Sequence, residues 1–217
     1  MKGSIFIFSN GDLKRKQNTI YFEGNKGIKK FIPIENTNEL HLFGEVTINK
    51  EILEFLSKNE IVLHFYNYYG YYVGTYYPRE HYNSGFMILK QAENYIDREK
   101  RLNLARKFVF GASENIKKVL NYYNSRDINL EQIISKIDNL KELISFQKDI
   151  DQLMAIEGNI REIYYNAFDY IVDDENFSMD ERTKRPPKNR MNALISFGNS
   201  LLYTTILSEI YKTHLDP

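Results

Sequence analysis

The chain has no cysteine and no tryptophan, and only five prolines in 217 residues. The missing cysteine excludes a disulfide scaffold, a thiolate zinc site and a thiol nucleophile in one step. No apolar run approaches the roughly 18–20 residues that a membrane-spanning helix needs. The start, Met1-Lys2-Gly3-Ser4-Ile5-Phe6-Ile7-Phe8, is too short and too aromatic for a signal peptide. A soluble, cytoplasmic protein that stays off membranes is therefore expected. Glycine-rich phosphate loops are missing, which excludes nucleotide hydrolysis of the P-loop kind. Histidine is scarce: His41, His64, His81 and His214 form no HExxH and no i,i+4 pair. His41 and His64 fall within apolar strand-like runs and read as packing or hydrogen-bonding residues, and His81 falls in a linker.

Net charge is also missing, with 29 basic against 29 acidic side chains, but the zero is a cancellation. Residues 82–125 carry eight basic and four acidic groups, residues 126–181 carry five and fourteen, and residues 182–190 carry five and none. An acidic stretch thus lies between two basic ones. Screening within about 10 Å means that only folding can make these blocks act together.

What is present is a core-forming 42% of hydrophobic residues, laid out in two styles. Up to about residue 80 the runs are short, β-branched and aromatic: Ile5–Phe8, Thr19–Phe22, Lys30–Ile34, Leu40–Phe43, Ile61–Phe65 and Tyr71–Tyr77. They are punctuated by Asn10-Gly11, Gly24-Asn25 and Lys26-Gly27, which suit turns. One helix interrupts them, capped by Asn49 and carrying Ile52, Leu53 and Leu56. From Phe86 onward apolar residues recur at three- and four-residue spacing, which predicts helices over 86–95, 97–123, 129–144, 146–172 and 187–212. The fold class expected is α+β: a β-rich, sandwich-like domain over 1–81, a linker around Pro78–Ser84, and an all-α domain over 82–217.

Two segments carry candidate chemistry. In Leu153–Tyr165, Ile156, Ile160, Ile163 and Ala167 form a buried stripe, and Glu157 lies at its edge beside Arg161, Tyr164 and Phe168. Glu157 reads either as an ordinary i,i+4 ion-pair partner of Arg161 or as a ligand for a hard divalent ion. Gly158, costly inside a helix, suggests a close approach to the backbone. The second segment holds Arg182, Lys184, Arg185, Lys188 and Arg190 around Pro186-Pro187, ahead of an apolar helix that the prolines can start. Five cations at a helix N-terminus suit phosphate, and a plain surface loop is the alternative.

Glu157-Gly158, Tyr164-Tyr165, Arg185-Pro186-Pro187 and Asn192-Ala193-Leu194-Ile195-Ser196-Phe197-Gly198, in that order, resemble the universal CRISPR-associated endonuclease/integrase of spacer acquisition. Lys90-Gln91, Arg101, Ala105-Arg106-Lys107 and Asn115 extend the resemblance, which covers essentially the whole chain. It implies an N-terminal dimerisation domain joined to a helical catalytic domain, and Mg²⁺- or Mn²⁺-dependent joining of protospacer DNA 3′-hydroxyl ends into a CRISPR array, an antiviral defence. It also implies a homodimer, a second small CRISPR adaptation protein, and protospacer and repeat DNA as partners.

The family's metal site uses a glutamate, a histidine and an aspartate. Glu157 falls on the glutamate. The other two positions are expected beyond Pro217, after Leu215-Asp216-Pro217, and His214 precedes that segment and does not replace the histidine. On that reading the 217 residues alone lack turnover. Strand transfer needs a cation to activate the 3′-hydroxyl and to stabilise phosphate charge, and one carboxylate holds Mg²⁺ weakly. Arg101 and Lys107 on one side, and the basic residues of 182–190 on the other, would neutralise DNA phosphates together with Arg161. Tyr164 and Tyr165 suit stacking on an unpaired end, and Tyr165 equally suits the core. The alternative function is a non-catalytic, homodimeric DNA-binding or scaffold protein.

Overall fold

A computed structural model describes residues 3–24, 27–79, 82 and 84–217. His81, and Asn25 and Lys26 of the expected turns, lie outside the described residues. The class is α+β: two four-stranded sheets, then a helical region. The first sheet is ordered β1 (Gly3–Ile7), β5 (Thr37–Leu42), β7 (Val62–Tyr66) and β8 (Tyr72–Tyr76). Its first three strands are parallel and β8 returns antiparallel. The second sheet is ordered β4 (Lys29–Ile32), β3 (Thr19–Gly24), β2 (Gly11–Lys16) and β6 (Val46–Thr47), with β6 parallel to β2 and the other pairs antiparallel.

Apolar side chains of both sheets, among them Ile7, Leu13, Ile20, Leu40, Leu42 and Leu63, share one core with Ile52, Phe55 and Leu56 of α1 (Lys50–Lys58). The Asn49 side chain caps α1, accepting from the Ile52 amide at 3.0 Å. Gly70 makes the β7–β8 turn at φ +77°, and a Cβ there would come within 2.9 Å of the Phe197 ring.

β5 and β7 are buried on both faces. Leu40, Leu42 and Leu63 point into the core, so period-two alternation sends Glu39, His41, His64 and Tyr66 to the opposite face. There they meet Thr204 and Ser208 of α7 (Arg190–Tyr211).

The chain divides into two compact units: the part up to Met87 together with Phe197–Pro217, and Ile88–Ser196. The second half of α7 lies in the first unit, where Thr204 and Ser208 meet the polar face just described. In the helical unit run α2 (Gly85–Ile96, from Ile88 on), α3 (Arg98–Asn124), α4 (Glu131–Glu142), α5 (Ile150–Asn166), α6 (Phe168–Val172) and the first turns of α7. Leu102, Val109, Leu120, Leu130, Ile137, Leu153, Ile156 and Ile160 form its core. The expected helix over 146–172 is two pieces, α5, begun by the Asp149 cap, and α6, and Phe146 ends a 3₁₀ turn at Leu143–Phe146.

Across α3 and α4, Lys117 Nζ donates to both Asp138 oxygens (2.8 and 2.6 Å), and Lys141 binds Glu114 and lies 3.6 Å from Asp138. Hydrogen bonds from Lys117 hold Asp138 below its usual range, and those from Lys141 do the same for Glu114. A carboxylate lowered in the folded state stabilises above its unfolded pKa, about 4, and loses that contribution as pH falls through the folded value. Lys117→Met is therefore expected to melt below wild type at neutral pH, with the gap closing below about pH 4. A gap in melting temperature that stays constant with pH would contradict the network.

Candidate functional site

α5 buries the stripe Leu153, Ile156 and Ile160, followed by Ala167, and Ile163 is half-buried. Glu157 sits at the edge of this stripe, with 19% of its side chain exposed, and is ion-paired to Arg161. Burial disfavours the Arg161 charge, but Glu157 and a hydrogen bond from Arg161 to Tyr165 more than offset it and raise its pKa. The Tyr165 ring lies in turn 5.9 Å from the Arg182 guanidinium. Tyr164 packs edge-on against Phe168 at 4.9 Å and joins the core, and burial raises its hydroxyl pKa. The close approach expected at Gly158 is not found: a Cβ there would meet nothing within 4 Å among the described residues. Gly158 faces solvent because it lies off the buried stripe.

The basic segment is more ordered than a loop of free cations. Arg182 turns inward and donates to Asn192 Oδ1 (2.8 Å), Ser196 Oγ (3.1 Å) and the Thr183 carbonyl. Asn192, fully buried, also accepts from the Thr183 amide (2.9 Å) and donates to the Glu181 carbonyl (2.8 Å). Lys188 pairs with Glu181 at 3.2 Å, and the Arg190 charge acts on Asp174. Lys184 and Arg185 are exposed. The prolines do not begin α7; it starts at Arg190, with the Asn189 side chain accepting from the Asn192 amide at 2.8 Å. An Asn cap satisfies a first-turn donor, which a proline cannot do.

Contacts thus link Glu157, Arg161, Tyr165 and Arg182. Among the described residues that chain of contacts does not extend to Arg101, which covers the Tyr95 ring at 4.4 Å, or to Lys107, exposed on α3. His214 binds the Tyr82 carbonyl at 2.7 Å.

A second cluster lies in the β-rich unit. Glu39, His41 and His64 are 7%, 1% and 0% exposed. Ser208 Oγ donates to Glu39 Oε2 (2.7 Å), Ser4 Oγ donates to Oε1, and His64 bridges Ser208 Oγ (2.9 Å) and Thr75 Oγ1 (2.8 Å). Burial alone would raise the Glu39 carboxyl. The adjacent His41 and His64 rings, at 3.5 and 3.6 Å, and the hydrogen bonds from Ser208 and Ser4 hold it instead well below the carboxylate range. Burial lowers His64, and burial pushes the Tyr66 hydroxyl up to about 12. Both histidines do hydrogen-bond within apolar strands, as their setting suggests. Their convergence on Glu39 was missed, although the Glu39-x-His41 alternation already puts two of the three on one face.

Among the described residues this is the only group of three or more carboxylates and imidazoles close enough to share an ion. Glu157 has no such companions and offers one carboxylate, already paired, so these residues do not complete a site for Mg²⁺ or Mn²⁺.

Comparison with known proteins places this geometry. A family model described as "CRISPR associated protein Cas1" matches residues 5–217. A CRISPR-associated endonuclease Cas1 of Thermodesulfovibrio yellowstonii is 63% identical over 217 residues, covering all of this chain and 66% of its own length. The structure of a CAS1 protein from Thermotoga maritima superposes with a TM-score of 0.89 at 51% identity, covering all of this chain and 67% of that one. A chain from a Cas6-RT-Cas1–Cas2 complex, 19% identical with a TM-score of 0.78, shares the fold over 95% of this chain and 23% of that one. The chain spans 61–66% of the length of these curated relatives. Among the described residues no helix is long and apolar enough to cross a membrane.

Asn192 carries the order of the basic segment, so Asn192→Ala is expected to cost about 1–3 kcal/mol, the penalty for stranding buried donors. It should also speed tryptic cleavage after Lys184 and Lys188, neither of which is followed by proline. Cleavage at the wild-type rate would show that the loop does not depend on that side chain.

Proposed function

The chain belongs to the CRISPR-associated Cas1 family, and on that premise we propose that it serves the cutting and joining of DNA in spacer acquisition. The observation that carries this reading is the run of contacts from Glu157 through Arg161 and Tyr165 to Arg182. It puts the candidate metal-binding carboxylate at the margin of a basic surface, where a phosphate could lie beside it. Arg182 and Asn192 hold the segment in shape, and its exposed cations Lys184, Arg185, Lys188 and Arg190 are the ones assigned to DNA phosphates in this reading. Tyr165 is the aromatic placed to meet a base at an unpaired end, with Tyr164 behind it in the core edge. Arg101 and Lys107, on α3 and outside that run of contacts, are further candidates to meet phosphate.

In this reading residues 1–81 serve dimerisation and 82–217 serve catalysis. The partners are a second copy of the chain, a small CRISPR adaptation protein, and protospacer and repeat DNA. Glu157 is one ligand of a Mg²⁺ or Mn²⁺ ion, and Arg161 holds the carboxylate in place until the ion arrives. The second reading is a DNA-binding homodimer without turnover. It is favoured by one observation: among the described residues Glu157 pairs with an arginine and not with further metal ligands.

Two measurements separate these claims. In a salt titration of splayed-duplex binding, Lys184→Ala/Arg185→Ala is expected to reduce the log–log slope by about 1–2, close to 0.9 per lost phosphate contact. A wild-type affinity independent of salt would remove the phosphate contacts. In an Mn²⁺-dependent strand-transfer assay on the protein extended to its relatives' length, Glu157→Gln is expected to abolish joining while binding persists. Joining at the wild-type rate would remove Glu157 from the reaction, and no joining by the extended wild type would favour the scaffold.

A further inference from the structure

The proton inventory around Glu39 leaves one atom without a role. Assigning the Thr204 hydroxyl proton to the helix carbonyls of Leu201 (2.9 Å) and Ser200 (3.2 Å) makes the Tyr66 hydroxyl, 2.7 Å from Thr204, the donor in that pair. Tyr66 must then accept from His41 Nδ1 at 2.9 Å, which puts the His41 proton on Nδ1. His41 Nε2 is left as a lone pair, buried and without a hydrogen-bond partner. It faces Glu39 Oε1 at 3.5 Å. A lone pair against a buried carboxylate is repulsive unless positive charge lies between them.

Two candidates supply that charge, and distance chooses between them. An imidazolium on a carboxylate makes a charge-assisted bond of about 2.7–2.9 Å. Two ligands of one tetrahedral ion, bound at about 2.0–2.1 Å each, stand about 3.3–3.4 Å apart. The observed pairs, His41 Nε2–Glu39 Oε1 at 3.5 Å and His64 Nε2–Glu39 Oε2 at 3.6 Å, match the second geometry. Ligand atoms from all three residues lie within 4.8 Å of one another.

We propose that Glu39, His41 and His64 bind a first-row transition-metal ion of the zinc class, through the Glu39 carboxylate, whose Oε1 faces His41 and Oε2 faces His64, and the two Nε2 atoms. Imidazole with carboxylate suits zinc, nickel or iron and not Mg²⁺. The outer partners are those of a metal site, where each ligating histidine gives its other nitrogen a fixed partner. Tyr66 holds His41 Nδ1, and Thr75 holds His64 Nδ1. Without the ion, His64 Nε2 donates to Ser208 Oγ. With it, that proton sits on Nδ1 and is donated to Thr75, whose hydroxyl already pairs with Tyr72 at 2.8 Å, so no net proton is released. Ser208 keeps its bond to Glu39 beside the remaining coordination position, and the bound ion ties β5 and β7 to α7 through it. Phe6, stacked on His41 at 4.5 Å and 46% exposed, is the ring covering the site, which gives an entry route by side-chain motion.

The test is calorimetric titration of chelator-stripped protein with ZnCl₂, with MgCl₂ as the control. One equivalent of zinc and no saturable magnesium binding are expected. His41→Gln and Glu39→Gln should each weaken the zinc step by more than 100-fold, and circular dichroism shows whether they fold. Tyr66→Phe removes one hydroxyl and keeps the ring, so it tests the site even where a ligand variant fails to fold. It should weaken zinc 10- to 100-fold, as outer-shell changes do. No zinc uptake by the wild type overturns the proposal. So does binding that a folded His41→Gln or Tyr66→Phe leaves unchanged, since the zinc would then sit on other groups.

Discussion

A carboxylate in the interior must be compensated, and Glu39 sets much of the architecture around it. It is 7% exposed in the middle of a parallel sheet. Stranding such a charge costs several kcal/mol. Ser4 on β1 and Ser208 on α7 donate to it, His64 on β7 bonds Ser208 behind it, and His41 stands beside it on β5 at 3.5 Å. None of these works unless the strands keep their register, since a slip of one residue would turn Glu39 into the apolar core. The same requirement explains why the second half of α7 carries Thr204 and Ser208 inward, fully or almost fully buried, where an apolar helix would be expected to present leucine.

The helical unit meets its electrostatic demands differently. Its ion pairs lie at the surface, and a network such as Lys117–Asp138–Lys141–Glu114 adds modest stability to a core made by leucine and isoleucine. Asn192 is, with Ser113, one of its buried polar side chains. By fixing Arg182, Thr183 and Glu181 it makes a defined surface of a segment that carries five cations. The acidic block and the basic one after it, which cancel in the net charge, are brought together here: Glu157 reaches Arg182 through Arg161 and Tyr165.

Legibility in the sequence followed the physical source of each feature. Strands with β-branched or aromatic runs, such as β3 and β7, were readable from composition because burial dictates it. β2 was missed: Gly-Asp-Leu-Lys-Arg-Lys buries only Leu13, and its strand state comes from pairing with β3 and β6, which no local propensity encodes. The apolar stripe of α5 was legible, but its end was not, because tertiary packing divides it from α6 at Ala167, which is fully buried. Glu157 and the basic segment were found by motif, and their contact through Tyr165 needed the fold. Glu39 and His41 share a face by simple alternation, whereas His64 enters only through the β5–β7 register that sets it opposite His41. That pairing spans 23 residues and one helix, so local pattern could not supply it.

The claim most exposed to refutation is that the gap between Glu39 and the two imidazoles is shaped for an ion. Anomalous diffraction at the zinc edge, from crystals of protein purified without chelators and supplied with zinc, tests it directly. The account predicts one peak at about 2.0–2.2 Å from a Glu39 oxygen and from Nε2 of His41 and His64. An empty gap, with His41 Nε2 drawn to within hydrogen-bond distance of Glu39, would contradict it and identify the compensating charge as a proton.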